Sequence, residues 1–348
     1  MSKKPLISDL GEKKLIENII QKARFFQKDY FSTHPQIRDS LGDDAALMDV
    51  DSKYLVSTSD MLLQNTHFPW QMTHRQMGWK IVTVNVSDLA AMGAHPRGIL
   101  ISMGLPREMT LEQFNELVEG ILEACSYYET PLIGGDTNES PQIVLNGTAL
   151  GEVTKEKVLM KNTIQKGDIL VVTGPLGLAA AGFEILFMEN KSKNKARIES
   201  TLKEEFINLA LDHALNPRAR IKEGIIAAES NLITGCTDIT DGLASELQEL
   251  VTAGKDIGIK IYQDQIPSHP LVGELGKITG KNSEEMMLYY GEDFELLLAV
   301  KKDGINALKE CMDFYVVGEV TDSGHMEIVD TNGKTNILPS GGYQHLGG

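Results

Sequence analysis

Acidic residues recur at short glycine-bearing motifs along this chain, and they are where chemistry is to be sought. Asp43 and Asp44 follow Gly42, Asp60 follows the β-rich run Tyr54 to Ser59, and Asp88 sits inside a helical pattern. Asp136 lies in Gly134-Gly-Asp-Thr137, Asp238 and Asp241 in Asp-Ile-Thr-Asp-Gly242, and Glu292 in Gly291-Glu-Asp-Phe-Glu295. Singly, each fits a turn or a helix N-cap, where Asp is common. Asp88 fits those roles less well. It stands three residues after Asn85, amid Val, Leu and Ala, and no Lys or Arg lies three or four residues from it. A carboxylate buried in such surroundings requires a partner. A hard divalent cation satisfies it, and Mg²⁺ suits carboxylates gathered from several loops together with substrate phosphates.

The charge balance agrees. Lys plus Arg is 33 and Asp plus Glu is 49 in 348 residues, a net charge of −16. That argues against a phosphate-backbone binder, which needs a basic face. An acidic protein that handles polyphosphate must neutralise both the ligand and its own carboxylates, and several Mg²⁺ ions do both. The Gly134-Gly135 pair would let the backbone approach a phosphate, although a tight turn explains it equally well. Standard nucleotide and hydrolase signatures are missing. Gly276 to Lys281 is followed by Asn282 and is not a P-loop, Gly174-Pro-Leu-Gly177 is not a dinucleotide fingerprint, and neither HExxH nor GxSxG occurs. Cys125, Cys236 and Cys311 lie too far apart in sequence for a zinc knuckle. The residues alone therefore point to a metal-rich phosphoryl-transfer or ATP-binding site.

The elements that must position these acids follow from periodicity. Strands are expected at Tyr54–Thr58, Ile99–Met103, Ile143–Leu150 and Ile169–Thr173, with Asp60 just after the first; helices at Gln76–Met92, Leu111–Tyr128 and Leu178–Met188. Helices beginning near Leu202 and Pro217, and one ending near Val251, complete the second half. Glu189 to Ser200 reads as an exposed polar connection. The Lys-rich stretch Lys155 to Lys166 divides the chain into 1–155 and 156–348, so the fold class is α/β (α+β) in two domains. The start Met1-Ser-Lys-Lys has no apolar signal core and no run approaches ~20 apolar residues, so a cytosolic protein is expected.

At these motifs the sequence resembles the thiamine-monophosphate kinase family, within the superfamily of aminoimidazole-ribonucleotide synthetase. The matching stretches are Leu41-Gly-Asp-Asp-Ala-Ala46, Ser57-Thr-Ser-Asp-Met-Leu62 with His67-Phe68, Asn85 to Gly93, Leu132 to Thr137, Thr237 to Leu243, Gly291 to Leu296 and Gly342-Tyr-Gln-His345. They run in family order from about Ile16 to Leu346. The resemblance implies transfer of a phosphoryl group from ATP to thiamine monophosphate. It implies that Asp44, Thr58, Ser59, Asp60, Asp88, Asp136, Asp238 and Asp241 hold several Mg²⁺ ions. Tyr128, Gly135, Asp136, Lys161 and Thr240 would contact ATP, and His67, Glu292 and Tyr343 thiamine monophosphate. It further implies a homodimer paired through N-terminal strands. Lys161 stands where the family usually has Arg, Thr240 where it has Ser and Phe294 where it has Tyr. The Cys near the N-terminus of selenophosphate synthetases and the terminal Cys of the hydrogenase-maturation enzymes are both missing from this sequence.

Overall fold

The computed structural model describes residues 10–27, 33, 36, 40–188, 198 and 200–342. After α1 (Glu12–Phe26), the first half runs β1 (Ala46–Val50), β2 (Lys53–Leu63), α2 (Gln64–His67), α3 (His74–Ala91), β3 (His95–Leu105), α4 (Leu111–Tyr127), β4 (Leu132–Glu139) and β5 (Val144–Thr154). The second half runs β6 (Ile169–Val172), α5 (Leu178–Met188), α6 (Glu204–Leu215), α7 (Ile221–Ser230), β7 (Ile233–Ile239), α8 (Leu243–Ala253), β8 (Gly258–Tyr262), α9 (Pro270–Thr279) and α10 (Ser283–Leu288). It ends with β9 (Glu295–Val300), α11 (Ile305–Lys309), β10 (Tyr315–Thr321), β11 (Met326–Val329) and β12 (Thr335–Ile337). No helix among the described residues is long and apolar enough to cross a membrane.

Each half is built on its own sheet. The first has the order β1-β2-β5-β3-β4 and is antiparallel except where β4 runs parallel to β3. The second has the order β12-β11-β8-β10-β6-β9-β7. Tyr54, Val56 and Thr58 of β2 are buried while the residues between them are more exposed, the alternation expected of a strand with one face on the core.

Helix α3 is the centre of the molecule. Thr73 caps it through a reciprocal pairing with Gln76. Ile81, Val82, Val86, Leu89, Ala90 and Ala91 have no exposed surface, and Lys80, Thr83, Asn85 and Ser87 are buried with them, so the helix is enclosed on nearly every side. Its N-terminal turns pack on the first sheet, while Ala90 and Ala91 join a core with Val171, Cys236 and Leu298 of the second. Where α3 meets α4, two glycines bring the backbones together. A Cβ on Gly120 would lie 1.8 Å from the Arg75 carbonyl oxygen, and one on Gly78 would lie 2.1 Å from that of Leu117. A backbone carbonyl cannot swing aside, so Gly120→Ala must push the helices apart. We expect it to lose about 3 kcal/mol or more by urea unfolding, the upper range for overpacking. Gly273→Ala, whose Cβ would meet nothing within 4 Å, serves as the control.

Two expectations about local structure change. Asp60 lies inside β2, which runs on to Leu63, rather than closing the strand. Gly134-Gly-Asp-Thr137 is part of a strand, β4, and not a turn. As the outermost strand of its sheet, β4 is exposed along all eight residues, so it carries no buried-face alternation to read.

Candidate active site

The acids converge where the two halves meet. Asp44 comes from the loop before β1, Asp60 from β2, Asp88 from α3 and Asp238 from β7. Carboxylate oxygens of Asp44, Asp88 and Asp238 all lie within 4.8 Å of one another. Hydroxyls orient them: Thr58 donates to Asp88, Ser87 donates to Asp238, and Thr237 donates to Asp44 over 3.3 Å. Asn85 spans α3 and β2, donating to the Ile81 carbonyl at 2.9 Å and accepting the Asp60 N–H at 3.1 Å. Its amide fits beneath β5 because residue 147 is glycine; a Cβ there would stand 2.2 Å from Asn85 Nδ2.

The electrostatics are those of a site built for cations. Burial, followed by the charges of Asp60, Asp238 and Asp44, raises the Asp88 carboxyl well above its usual range. Burial and the neighbouring Asp44 push Asp238 up to about 7, and the same two causes push Asp43 up to about 6. Burial also raises Asp60. Asp44 is raised by burial even though Lys161 Nζ stands 2.7 Å from its Oδ1. Its Oδ2 is buried with no hydrogen-bond partner. Three hard oxygen donors in close reach, one of them unsatisfied, fit Mg²⁺.

A cleft of about 880 Å³ opens from this cluster. Asp60, Asp88, Thr240 and Asp241 line one part, and His67, Phe68, Tyr290 and Glu292 another. The size suits organic ligands. His67 ends the short helix α2, and its Nδ1 accepts the Leu63 N–H at 2.9 Å. Glu292 accepts from Lys80, which also donates to the His67 carbonyl at 2.9 Å.

Several expected contributors stand elsewhere. Strand alternation turns Ser59 away from Thr58 and Asp60, and its hydroxyl donates to the Gly147 carbonyl at 2.8 Å. Gly135 and Asp136 lie on β4, which β3 and β5 separate from β2, so one copy of the chain does not bring them to the cluster. Tyr128 is a core residue: its hydroxyl accepts the Ala219 N–H at 3.0 Å and pairs with Thr83 at 3.1 Å. Lys161 is engaged internally, with Asp44 and, at 2.6 Å, Glu249. Tyr343 lies outside the described residues.

Sequence reasoning missed Ser87, Thr237 and Lys80. Lys80 had a signal. Lys80, Val84 and Asp88 follow one another at intervals of four and so share one stripe of the helix.

The comparisons bear on the whole chain. Residues 42–153 match the model of the AIR synthase related protein N-terminal domain, and 165–331 that of its C-terminal domain. The thiamine-monophosphate kinase of Pyrococcus abyssi is 32% identical over 311 residues, covering 89% of this chain and 92% of that protein. The chain belongs to the thiamine-monophosphate kinase family. The Bacillus subtilis member is 30% identical over 324 residues, covering 90% and 95% of the two chains. Among solved structures, a family member complexed with AMPPCP and TMP superposes with a TM-score of 0.82 at 27% identity, covering 99% of this chain and all of that one.

Proposed function

We propose that this chain transfers the γ-phosphoryl group of ATP directly to thiamine monophosphate, giving ADP and thiamine diphosphate. One observation carries the reading: a single cleft joins the carboxylate cluster to the wall formed by His67 and Glu292. The likeness to relatives bearing that name, and to one solved with AMPPCP and TMP, supports it.

Asp44, Asp88 and Asp238 would hold Mg²⁺, with Asp60 and Thr58 beside them and Asp241 at the cleft. Bound there, the ions would neutralise charge on the phosphates as the γ-phosphoryl group moves. The rest of the work falls to the protein. Glu292 offers a carboxylate to the cationic thiazolium, and Tyr343 is proposed as its aromatic neighbour. Thr240 is proposed as an ATP contact. The accepting phosphate oxygen is already ionised near neutral pH, so no general base is required. A phosphohistidine at His67 is disfavoured by its hydrogen bond. An Nδ1 that accepts a backbone N–H leaves the neutral ring's proton on Nε2, which is then a donor rather than a nucleophile.

The domains 1–155 and 156–348 are proposed to share the site, each contributing to both the acid cluster and the acceptor wall. The exposed edge of β4, with Ile133 52% accessible, supports a homodimer in which a second copy pairs there. Gly135 and Asp136 would then serve ATP and metal across that contact, in a cytoplasmic enzyme.

ATP chiral at the γ-phosphorus tests the proposal. Thiamine diphosphate with inverted configuration is expected. Retention would exclude direct transfer, and no thiamine diphosphate at all would exclude the activity.

A further inference from the structure

Lys80 is 1% exposed and yet is not part of the cleft lining. An ammonium so enclosed must be paired, and its partners are informative. Its Nζ lies 2.7 Å from Glu292 Oε1 as a hydrogen bond and 2.5 Å from Oε2 as an ionic contact. A further bond of 2.9 Å reaches the His67 carbonyl. One cation therefore holds two lining residues, His67 from the first half of the chain and Glu292 from the second. Glu292 faces the cleft with 29% of its side chain exposed, whereas Lys80 lies behind it. The loop bearing Glu292 is itself unusual. Glu292 and Phe294 both have positive φ, 69° and 52°, and backbone bonds to Thr240 and Ile239 keep them there. Stability alone does not explain the pair, since a well-packed apolar substitute for a buried ion pair is often neutral or stabilising.

We propose that Lys80 is the positioning residue of the acceptor wall, fixing the Glu292 carboxylate and the His67 backbone where a cationic acceptor meets them. The inference rests on the assignment of this cleft to thiamine monophosphate. Without Lys80, the carboxylate keeps no counter-charge in that position. Released from Lys80, it is free to turn out to water, which removes the negative charge from the place the acceptor requires.

Steady-state kinetics test this with wild type, Lys80→Met, Glu292→Gln and the double variant, each substrate varied in turn. Lys80→Met should raise KM for thiamine monophosphate about tenfold or more and leave KM for ATP within about twofold. In the Glu292→Gln background, the same change should add less than about threefold, because its effect passes through Glu292. Lys80→Gln keeps a donor for the His67 carbonyl but no charge. It should show the same split, and it stands in if Lys80→Met does not fold. Equal rises in both KM values, a loss confined to kcat, full additivity in the double variant, or failure of both Lys80 variants to fold would overturn the proposal. ADP release by wild type with no dependence on thiamine monophosphate would instead overturn the functional reading, and this inference with it.

Discussion

Asp88→Asn should lower kcat by about a hundredfold or more, the scale of removing one preorganised electrostatic group from an active site. Asp88 lies within reach of both Asp44 and Asp238 in the cluster, with Thr58 donating to it. Asparagine keeps the shape and one acceptor for that hydroxyl but gives up the charge that would hold the ion. The fold should tolerate the change. With no ion bound, Asp88 is pressed by burial and by the charges of Asp60, Asp238 and Asp44, so its neutral substitute relieves repulsion. The metal-free variant is therefore expected to melt no lower than wild type. Mg²⁺, which should raise the wild-type Tm by binding the native state, should raise the variant's much less. Near-normal turnover at saturating Mg²⁺ would remove Asp88 from the site.

The second large effect is on stability and belongs to Lys161. Burial alone would lower its pKa, but the charges of Asp44, Glu249 and Glu246 overcome this and hold it well above the usual value. Lys161→Met would leave the Asp44 and Glu249 carboxylates without the ammonium now 2.7 and 2.6 Å away. Breaking a buried ion pair from one side costs about 3–5 kcal/mol, and that loss is expected in urea unfolding with EDTA present. Mg²⁺ should restore part of it, because an ion at Asp44 replaces some of the missing charge. A loss below about 1 kcal/mol would show that Lys161 is not a structural counter-ion.

Much of this frame was legible in the sequence. The helix expected at Gln76–Met92 is α3, that at Leu111–Tyr128 is α4, and the strand Ile99–Met103 lies within β3; α4 carries a clear hydrophobic period, whereas α3 is buried nearly all round and β3 holds a short apolar run. Asp44, Asp88 and Asp238 do meet, from a loop, a helix and a strand far apart in sequence. What could not be read came from pairing rather than from pattern. Nothing in Thr58-Ser59-Asp60 says which parity faces the acids until β2 is laid against β5 and α3. The glycine-rich β4 resembles a turn because an exposed edge strand has no apolar face to declare it. The hydroxyl of Tyr128 is taken by Ala219, 91 residues away, a tie no local spacing reveals. For Asp88, no cation lies one turn away. The cation on that stripe is Lys80, two turns away, and its partner is Glu292, the lining residue directly in front of it.

Lys80 and Asp88 share α3, and this makes the helix a measuring rod. At a rise of ~1.5 Å per residue, the eight steps between them set their backbones ~12 Å apart along the axis, one behind the acceptor wall and one in the acid cluster. The rod is clamped along its length, by α4 near Gly78 and by α7 near Ala90, where a Cβ on Gly224 would stand 2.2 Å from the Ala90 carbonyl oxygen. It can neither slide nor stretch. Reach within this active site is thus a fixed dimension on one side, and accommodating an acceptor of different length falls to the segments that carry His67 and Glu292.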